Sequence, residues 1–148
     1  SDYYEKLCGY GGIEAPDLME TEMILAAKIL LIDTPEKLEE YRSELSAMFP
    51  ELIIKKSQSD FLEIMDPEAT KGNALAYLAK KLGLDRRQVI AMGDSEIDES
   101  MIRWAGMGIA MENACEACKE AANDVTGPHD ADGVAQSIEK YILGVDTE

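Results

Sequence analysis

Short apolar runs alternate with helical segments over most of this chain, and that alternation limits its fold more than any other feature. The runs at 88–92 and 108–111 have the length and apolar composition of buried strands, and a helical pattern follows each of them. Strands that alternate with helices predict an α/β fold with a parallel sheet and right-handed crossovers. The predicted strands are residues 28–33, 51–55, 60–65, 88–92, 108–111 and 124–126.

The ends of the predicted helices are marked by residues that satisfy free backbone groups. Thr70 precedes an apolar helical pattern that stops at Gly83, as expected for an N-cap and a terminating glycine. Asn113 and Asp132 stand where they are expected to cap the helices that follow them. Residues 1–21 contain a loop-like glycine run and only a weak helical pattern, so their role stays open.

The chain is strongly acidic. Its 148 residues include 30 Asp and Glu against 14 Lys and Arg, a formal charge of -16, which repels nucleic acid and anionic membrane surfaces. A site for a phosphorylated metabolite would need a divalent cation or a lysine to reverse this field locally. No apolar run has the length of a membrane span and no export signal stands at the start, so we expect a cytoplasmic protein.

The three cysteines are few and odd in number, which suits a reducing compartment. Cys115 and Cys118 form a C-x-x-C pair, but a zinc site needs four ligands and the remaining candidates are the distant Cys8 and His129. We interpret the pair as two small, partly buried residues one turn apart on a helix. A metal or redox role is the alternative.

Acidic residues follow the predicted strand at 88–92. In open parallel sheets, ligands gather at the carboxyl ends of strands, and here Gly93 allows a close backbone passage before Asp94 and Asp98. Hard oxygen ligands at such a place suit Mg²⁺. Lys71, at a probable helix start, would add a cation that holds phosphate. The alternative is a solvated acidic turn that caps the next helix.

Several segments occur in the order of the motifs of one enzyme family. They are FLEI at 61–64, TKGNAL at 70–75, MGD at 92–94, AGMGIAMENA at 105–114 and DGV at 132–134. Together they resemble the Cof-type phosphatases of the haloacid dehalogenase superfamily, and the resemblance extends over residues 28–143. It implies a Rossmann-like parallel sheet, incomplete because its first strand is missing, with a small α/β cap domain. Residues 1–65 would form the cap-like segment, and residues 66–148 the C-terminal part of the core.

The resemblance assigns roles to three residues. Lys71 corresponds to the family lysine that holds the phosphate and the charge of the nucleophile, and Asp94 corresponds to the acidic Mg²⁺ ligand. Asp98 corresponds to a second carboxylate that supports the metal shell. The implied activity of the complete parent is Mg²⁺-dependent hydrolysis of small, sugar-phosphate-like phosphomonoesters through an aspartyl-phosphate. Since the family's cap selects among such metabolites, the sequence does not identify the substrate.

Two departures from the family pattern bear on this activity. The family has an asparagine that contacts phosphate just before its second aspartate, whereas this chain has Ile97, which cannot donate a hydrogen bond. The Asp-x-Asp-Gly-Thr motif that carries the nucleophile is absent from the sequence, and Asp130 and Asp132 follow a turn where the family has no catalytic motif. We therefore expect this chain to be inactive by itself.

The missing first strand of the family's sheet lies beside the strand that ends at Asp94. Its absence would expose an apolar edge at 89–92, so we expect that edge to be covered by an N-terminal half of a longer or clipped protein, or by a second copy in a homodimer. Two other interpretations stay open. One is a non-catalytic interaction or regulatory protein, which Ile97 favours, and the other is a receiver-like phosphoacceptor domain.

Overall fold

Two separate three-stranded sheets organise the chain in a computed structural model that describes residues 2–14 and 26–145. A short 3₁₀ turn at Arg86–Gln88 precedes the second sheet, and a π-helical turn at Glu139–Leu143 follows the last helix. The other elements, in chain order, are α1 (Asp2–Cys8), β1 (Ile29–Ile32), α2 (Pro35–Met48), β2 (Ile53–Gln58), β3 (Phe61–Met65), α3 (Lys71–Leu82), β4 (Ile90–Gly93), α4 (Glu99–Trp104), β5 (Met107–Met111), α5 (Glu116–Ala121), β6 (Asp124–Thr126) and α6 (Gly133–Ile138).

The first sheet is antiparallel and has the order β1-β3-β2. These strands lie within residues 1–65, where the sequence predicted a cap separate from the parallel core, and only two residues separate β2 from β3, a link that permits only a hairpin. Helix α2 covers one face of the sheet, and Leu38, Ile54 and Leu62 form the buried core between them. Helix α1 lies at the hairpin end, where the Tyr3 hydroxyl donates to Asp60 over 2.6 Å.

The second sheet is parallel, as predicted, and has the order β4-β5-β6. Its central strand β5 is almost fully buried, and Ile102 of α4 packs with Met111 and Cys118 in the core beside it. Strand β4 pairs only with β5 among the described strands, which places it at the sheet edge expected from the sequence. None of the helices within 2–14 and 26–145 is long and apolar enough to cross a membrane.

Of the two caps predicted at Asn113 and Asp132, the first is wrong and the second is right in position only. Helix α5 begins at Glu116 with Cys115 as its N-cap, because the side chain of Asn113 is engaged elsewhere. Asp132 does precede α6, but its backbone has a φ of 57° and its side chain makes no cap hydrogen bond. The predicted turn before α6 is present, since the amides of Ala131 and Gly133 both donate to the carbonyl of Pro128.

Candidate functional site

The loop between β4 and α4 is held by the carboxylate of Asp98. Its Oδ2 accepts hydrogen bonds from the amides of Asp94 and Ser95, each at 3.1 Å, and from the Ser95 hydroxyl at 2.8 Å. Gly93 is required for this close approach, because a Cβ there would lie 2.5 Å from the Cβ of Asp98. Asp98 therefore sets the backbone path of the residues that follow the strand.

Lys71 reaches the other oxygen of Asp98, so the structure brings these two predicted site residues together. The contact depends on close packing of α3 on α4, where the Gly72 amide donates to the Ser100 hydroxyl at 3.1 Å. Burial of Asp98 acts to raise its pKa, but the hydrogen bonds from Lys71, Ser95 and Asp94 outweigh burial and hold that pKa below its usual value. Asp98 is thus a charged carboxylate whose two oxygens are both engaged.

Asp94 lies at the end of β4 and points toward β5 and β6. Its Oδ2 accepts a hydrogen bond from the Asn113 side-chain amide at 3.0 Å, and Asn113 Oδ1 accepts one from the His129 amide at 2.9 Å. The backbone carbonyl of Asp94 accepts from the Cys115 amide at 2.8 Å. Asn113 thus orients the Asp94 carboxylate, a function that its distance from Asp94 in the sequence concealed.

A thiol supports the same loop. Burial, with a further contribution from Cys115, raises the pKa of Cys118 to about 12, so this thiol is protonated. Its Sγ donates to the carbonyl of Ser95 at 3.0 Å. The C-x-x-C pair therefore lies directly against the Asp94 loop.

Lys71 and Asp94 face different cavities. A cavity of about 300 Å³ lies between the first sheet and α3, and Lys71, Ile97 and the buried Glu63 are among its lining residues. A second, of about 330 Å³, lies between the β2–β3 hairpin and the Asp94 loop. The structure therefore places Asp98 between Lys71 and Asp94, and it does not show a direct contact between the lysine and the Asp94 carboxylate.

Glu96 joins the two sheets, and sequence reasoning gave it no such function. Its Oε1 accepts from Arg42 on α2 at 3.0 Å, and its Oε2 accepts from the backbone amide of Lys56 on β2 at 3.2 Å. Lys55 adds hydrogen bonds to the Glu96 carbonyl and to Glu99. These contacts fix the hairpin over the Asp94 loop, and no short-range sequence signal could have revealed them.

The donor set around the loop fits Mg²⁺ only in part. Across the residues that the structure describes, no three His, Cys, Asp or Glu side chains converge in a metal-binding group. Asp98 has both oxygens occupied by hydrogen bonds, whereas Asp94 has one oxygen bound to an amide. Mg²⁺ is commonly held by one or two carboxylates with water and phosphate oxygens completing its shell. Asp94 is suited to be one such ligand, and the described residues do not supply a full set.

A sequence profile of the haloacid dehalogenase-like hydrolase family matches residues 14–138. The chain belongs to the haloacid dehalogenase-like hydrolases. The chain is 39% identical over 125 residues to the putative phosphatase YxeH of Bacillus subtilis. This match covers 81% of the chain and 45% of YxeH. It is 40% identical over 108 residues to the 5-amino-6-(5-phospho-D-ribitylamino)uracil phosphatase YcsE of the same organism. That match covers 73% of the chain and 41% of YcsE.

The hydrolase fold is also found among solved structures. A haloacid dehalogenase-like hydrolase from Bacteroides thetaiotaomicron superposes with a TM-score of 0.72 at 35% identity, covering 94% of this chain and 53% of that one. The chain thus spans about half the length of these relatives. These comparisons confirm the family and the α/β fold predicted from the sequence, and they favour the hydrolase interpretation over the receiver-like one.

Proposed function

We propose that this chain supplies the lysine and one metal ligand of a Mg²⁺-dependent phosphomonoesterase whose aspartate nucleophile lies outside these 148 residues. The observation that carries the proposal is the link from Lys71 through Asp98 to the backbone of Asp94. A hydrolase of this family needs a cation for phosphate and a carboxylate for metal at one sheet edge, and the link orders both. The chain by itself is proposed to be inactive.

Each of the three residues has a distinct task in this proposal. The Lys71 side chain is about half exposed, at 46%, so it can contact a phosphate while Asp98 fixes its direction. Asp98 maintains the loop through its hydrogen bonds, and Asp94 presents the carboxylate that would hold the metal. Bound Mg²⁺ would neutralise charge on the phosphoryl oxygens. The lysine and the metal ligand would together offset the repulsion that this acidic chain exerts on a phosphate.

The proposed substrate is a small phosphorylated metabolite of the sugar-phosphate kind. YcsE, by its name, acts on a phosphoribityl compound, and this chain shares 40% of residues with it over the matched region. The cavity of about 300 Å³ beside Lys71 also contains Lys28, Lys55 and Glu63, which offer polar contacts to a hydroxylated leaving group. Residues 1–65 would act as the cap that forms one side of this cavity. The low cysteine content supports a reducing compartment such as the cytoplasm.

A non-catalytic interaction protein is the second candidate, and Ile97 is the observation that favours it. Ile97 lines the cavity that Lys71 lines, so an apolar side chain stands where the family places a phosphate-contacting amide. Phosphate would lose one hydrogen-bond donor there. This candidate predicts that even a longer natural form of the protein lacks hydrolase activity.

The test compares the 148-residue chain with the longest natural polypeptide that contains it. Phosphate release from a panel of sugar phosphates is measured with Mg²⁺ and with a chelator. The proposal expects activity only in the longer form and only with Mg²⁺, with loss in Asp94→Ala and Lys71→Met. The exposed Glu44 on α2 provides a matched control, since Glu44→Gln should leave the rate unchanged. A natural mass near 16.3 kDa with no companion peptide would instead support the non-catalytic candidate.

A further inference from the structure

Cys115 and Cys118 are two free thiols in one tight turn. The amide of Cys118 donates to the carbonyl of Cys115 at 3.1 Å, so the two residues close a turn in which their Cα atoms are within about 7 Å. Disulfides usually join Cα atoms about 4.4–6.8 Å apart. The turn therefore brings the two backbones close to the separation that a disulfide spans.

The two thiols differ in access. Cys118 is completely buried, whereas Cys115 is half-buried and lines the cavity of about 330 Å³ that also contains Asp94. A small oxidant that enters this cavity meets Cys115 first. Cys118 lies behind it, where a second thiol is placed to complete a disulfide.

Both cysteines contact the loop that carries Asp94. The Cys115 amide donates to the Asp94 carbonyl at 2.8 Å, and the Cys118 thiol donates to the Ser95 carbonyl at 3.0 Å. Formation of a disulfide removes the Cys118 S–H, so the Ser95 carbonyl loses one of its two donors and keeps the Asp98 amide at 2.8 Å. A change of thiol state thus acts on the residue next to Asp94.

We propose that Cys115 and Cys118 are a redox modification site, at which a reversible disulfide alters the Asp94 loop. A small-molecule disulfide such as oxidised glutathione is the oxidant. The Cys115 sulfur attacks one of its sulfur atoms and releases one thiol. The Cys118 sulfur then attacks the Cys115 sulfur and releases the second. Two cysteine thiols are oxidised, one disulfide is reduced to two thiols, and the cysteine protons end on those thiols.

The first test counts free thiols in the folded chain. The chain is equilibrated at increasing ratios of oxidised to reduced glutathione, alkylated and weighed. Trypsin releases residues 104–119 as one peptide, which contains both cysteines but not Cys8. We expect this peptide to lose two alkylation sites and two hydrogen atoms, and dithiothreitol to restore them. Cys8→Ser should behave in the same way, whereas Cys118→Ser should retain glutathione on Cys115.

The result that overturns the disulfide is a Cys8→Ser chain that keeps both thiols alkylatable, or holds a glutathione adduct on Cys115, at oxidising ratios. The second test measures backbone amide chemical shifts of the Cys8→Ser chain in both thiol states. We expect shifts at residues 94–96 as well as around 113–120. Changes confined to 113–120 would overturn the link to the Asp94 loop. Neither test uses phosphatase activity, so both are independent of the proposed function.

Discussion

Replacement of Asp98 by alanine should destabilise the fold much more than removal of its lysine partner. Asp98 is 5% exposed and accepts two backbone hydrogen bonds and one hydroxyl hydrogen bond, in addition to that from Lys71. The amides of Asp94 and Ser95 have no other acceptor in the described structure. After the truncation, only water that enters the loop could accept their hydrogen bonds. The lysine, in contrast, can turn into solvent.

The expected magnitude follows from these contacts. A hydrogen bond to a charged acceptor contributes about 1.5–3 kcal/mol, so two backbone bonds account for about 3–6 kcal/mol before water recovers part of the loss. We expect Asp98→Ala to lower the free energy of unfolding by about 3–4 kcal/mol. The Lys71 side chain is 46% exposed, and an ion pair with such a partner contributes about 1 kcal/mol or less. Lys71→Met should therefore cost about 1 kcal/mol at most.

Urea unfolding followed by circular dichroism measures the difference. With a slope of about 2 kcal/mol per molar, the midpoint should fall by about 1.5–2 M in Asp98→Ala and by less than about 0.5 M in Lys71→Met. Asp98→Asn, which keeps one acceptor oxygen, should lie between them and serves if the alanine variant does not fold. Equal shifts in the alanine and Lys71→Met variants would refute the reasoning, because the ion pair would then be what holds the loop.

Three further predictions concern other contacts. Glu96→Gln should raise the hydrogen-exchange rate of the Lys56 amide about tenfold, because the contact between the two sheets weakens by about 1.4 kcal/mol. An unchanged exchange rate would show that the two sheets stay together without the Glu96 charge. Gly72→Ala should lower the urea midpoint by about 1 M, since its Cβ would lie 2.6 Å from a backbone oxygen of α4, unless α3 can shift freely. Hydrogen bonds, first from Lys140, lower the pKa of Asp124 from 3.8 to about 2. The stabilising effect of this carboxylate is thus present above about pH 3.8 and lost as the pH falls through about 2, so thermal melts should separate Asp124→Asn from the unaltered chain at about pH 6 and not at about pH 2.

The features that could be predicted from the sequence are those with local causes. Thr70 accepts a hydrogen bond from the Asn73 amide at 3.0 Å, and Gly83 ends the same helix with a φ of 69°, both as predicted. These outcomes depend on residues a few positions apart, whose backbone groups must be satisfied whatever the rest of the chain does. The glycine before Asp94 belongs to the same class, because the requirement arises within one turn.

The features that sequence reasoning missed depend on contacts between distant segments. Asn113 has the chemistry of a helix cap, but the end of β5 places its amide beside Asp94, 19 residues earlier, and that stronger acceptor holds it. Glu96 meets Arg42 across 54 residues and the Lys56 amide across 40. A propensity describes what a residue does in its own segment, so it cannot select among partners that only the packing of two sheets brings near.

The pairing of charges around the loop distinguishes Asp94 from its neighbours. Glu96, Asp98 and Glu99 each contact a lysine or an arginine, so their negative charges are compensated within the chain. Among the contacts of the described residues, Asp94 receives an amide from Asn113 and no cation. An uncompensated carboxylate at the end of a parallel strand, in a chain of charge -16, gains most from a divalent cation. This is the physical reason why we propose Asp94 as the metal ligand and Asp98 as the support of its loop.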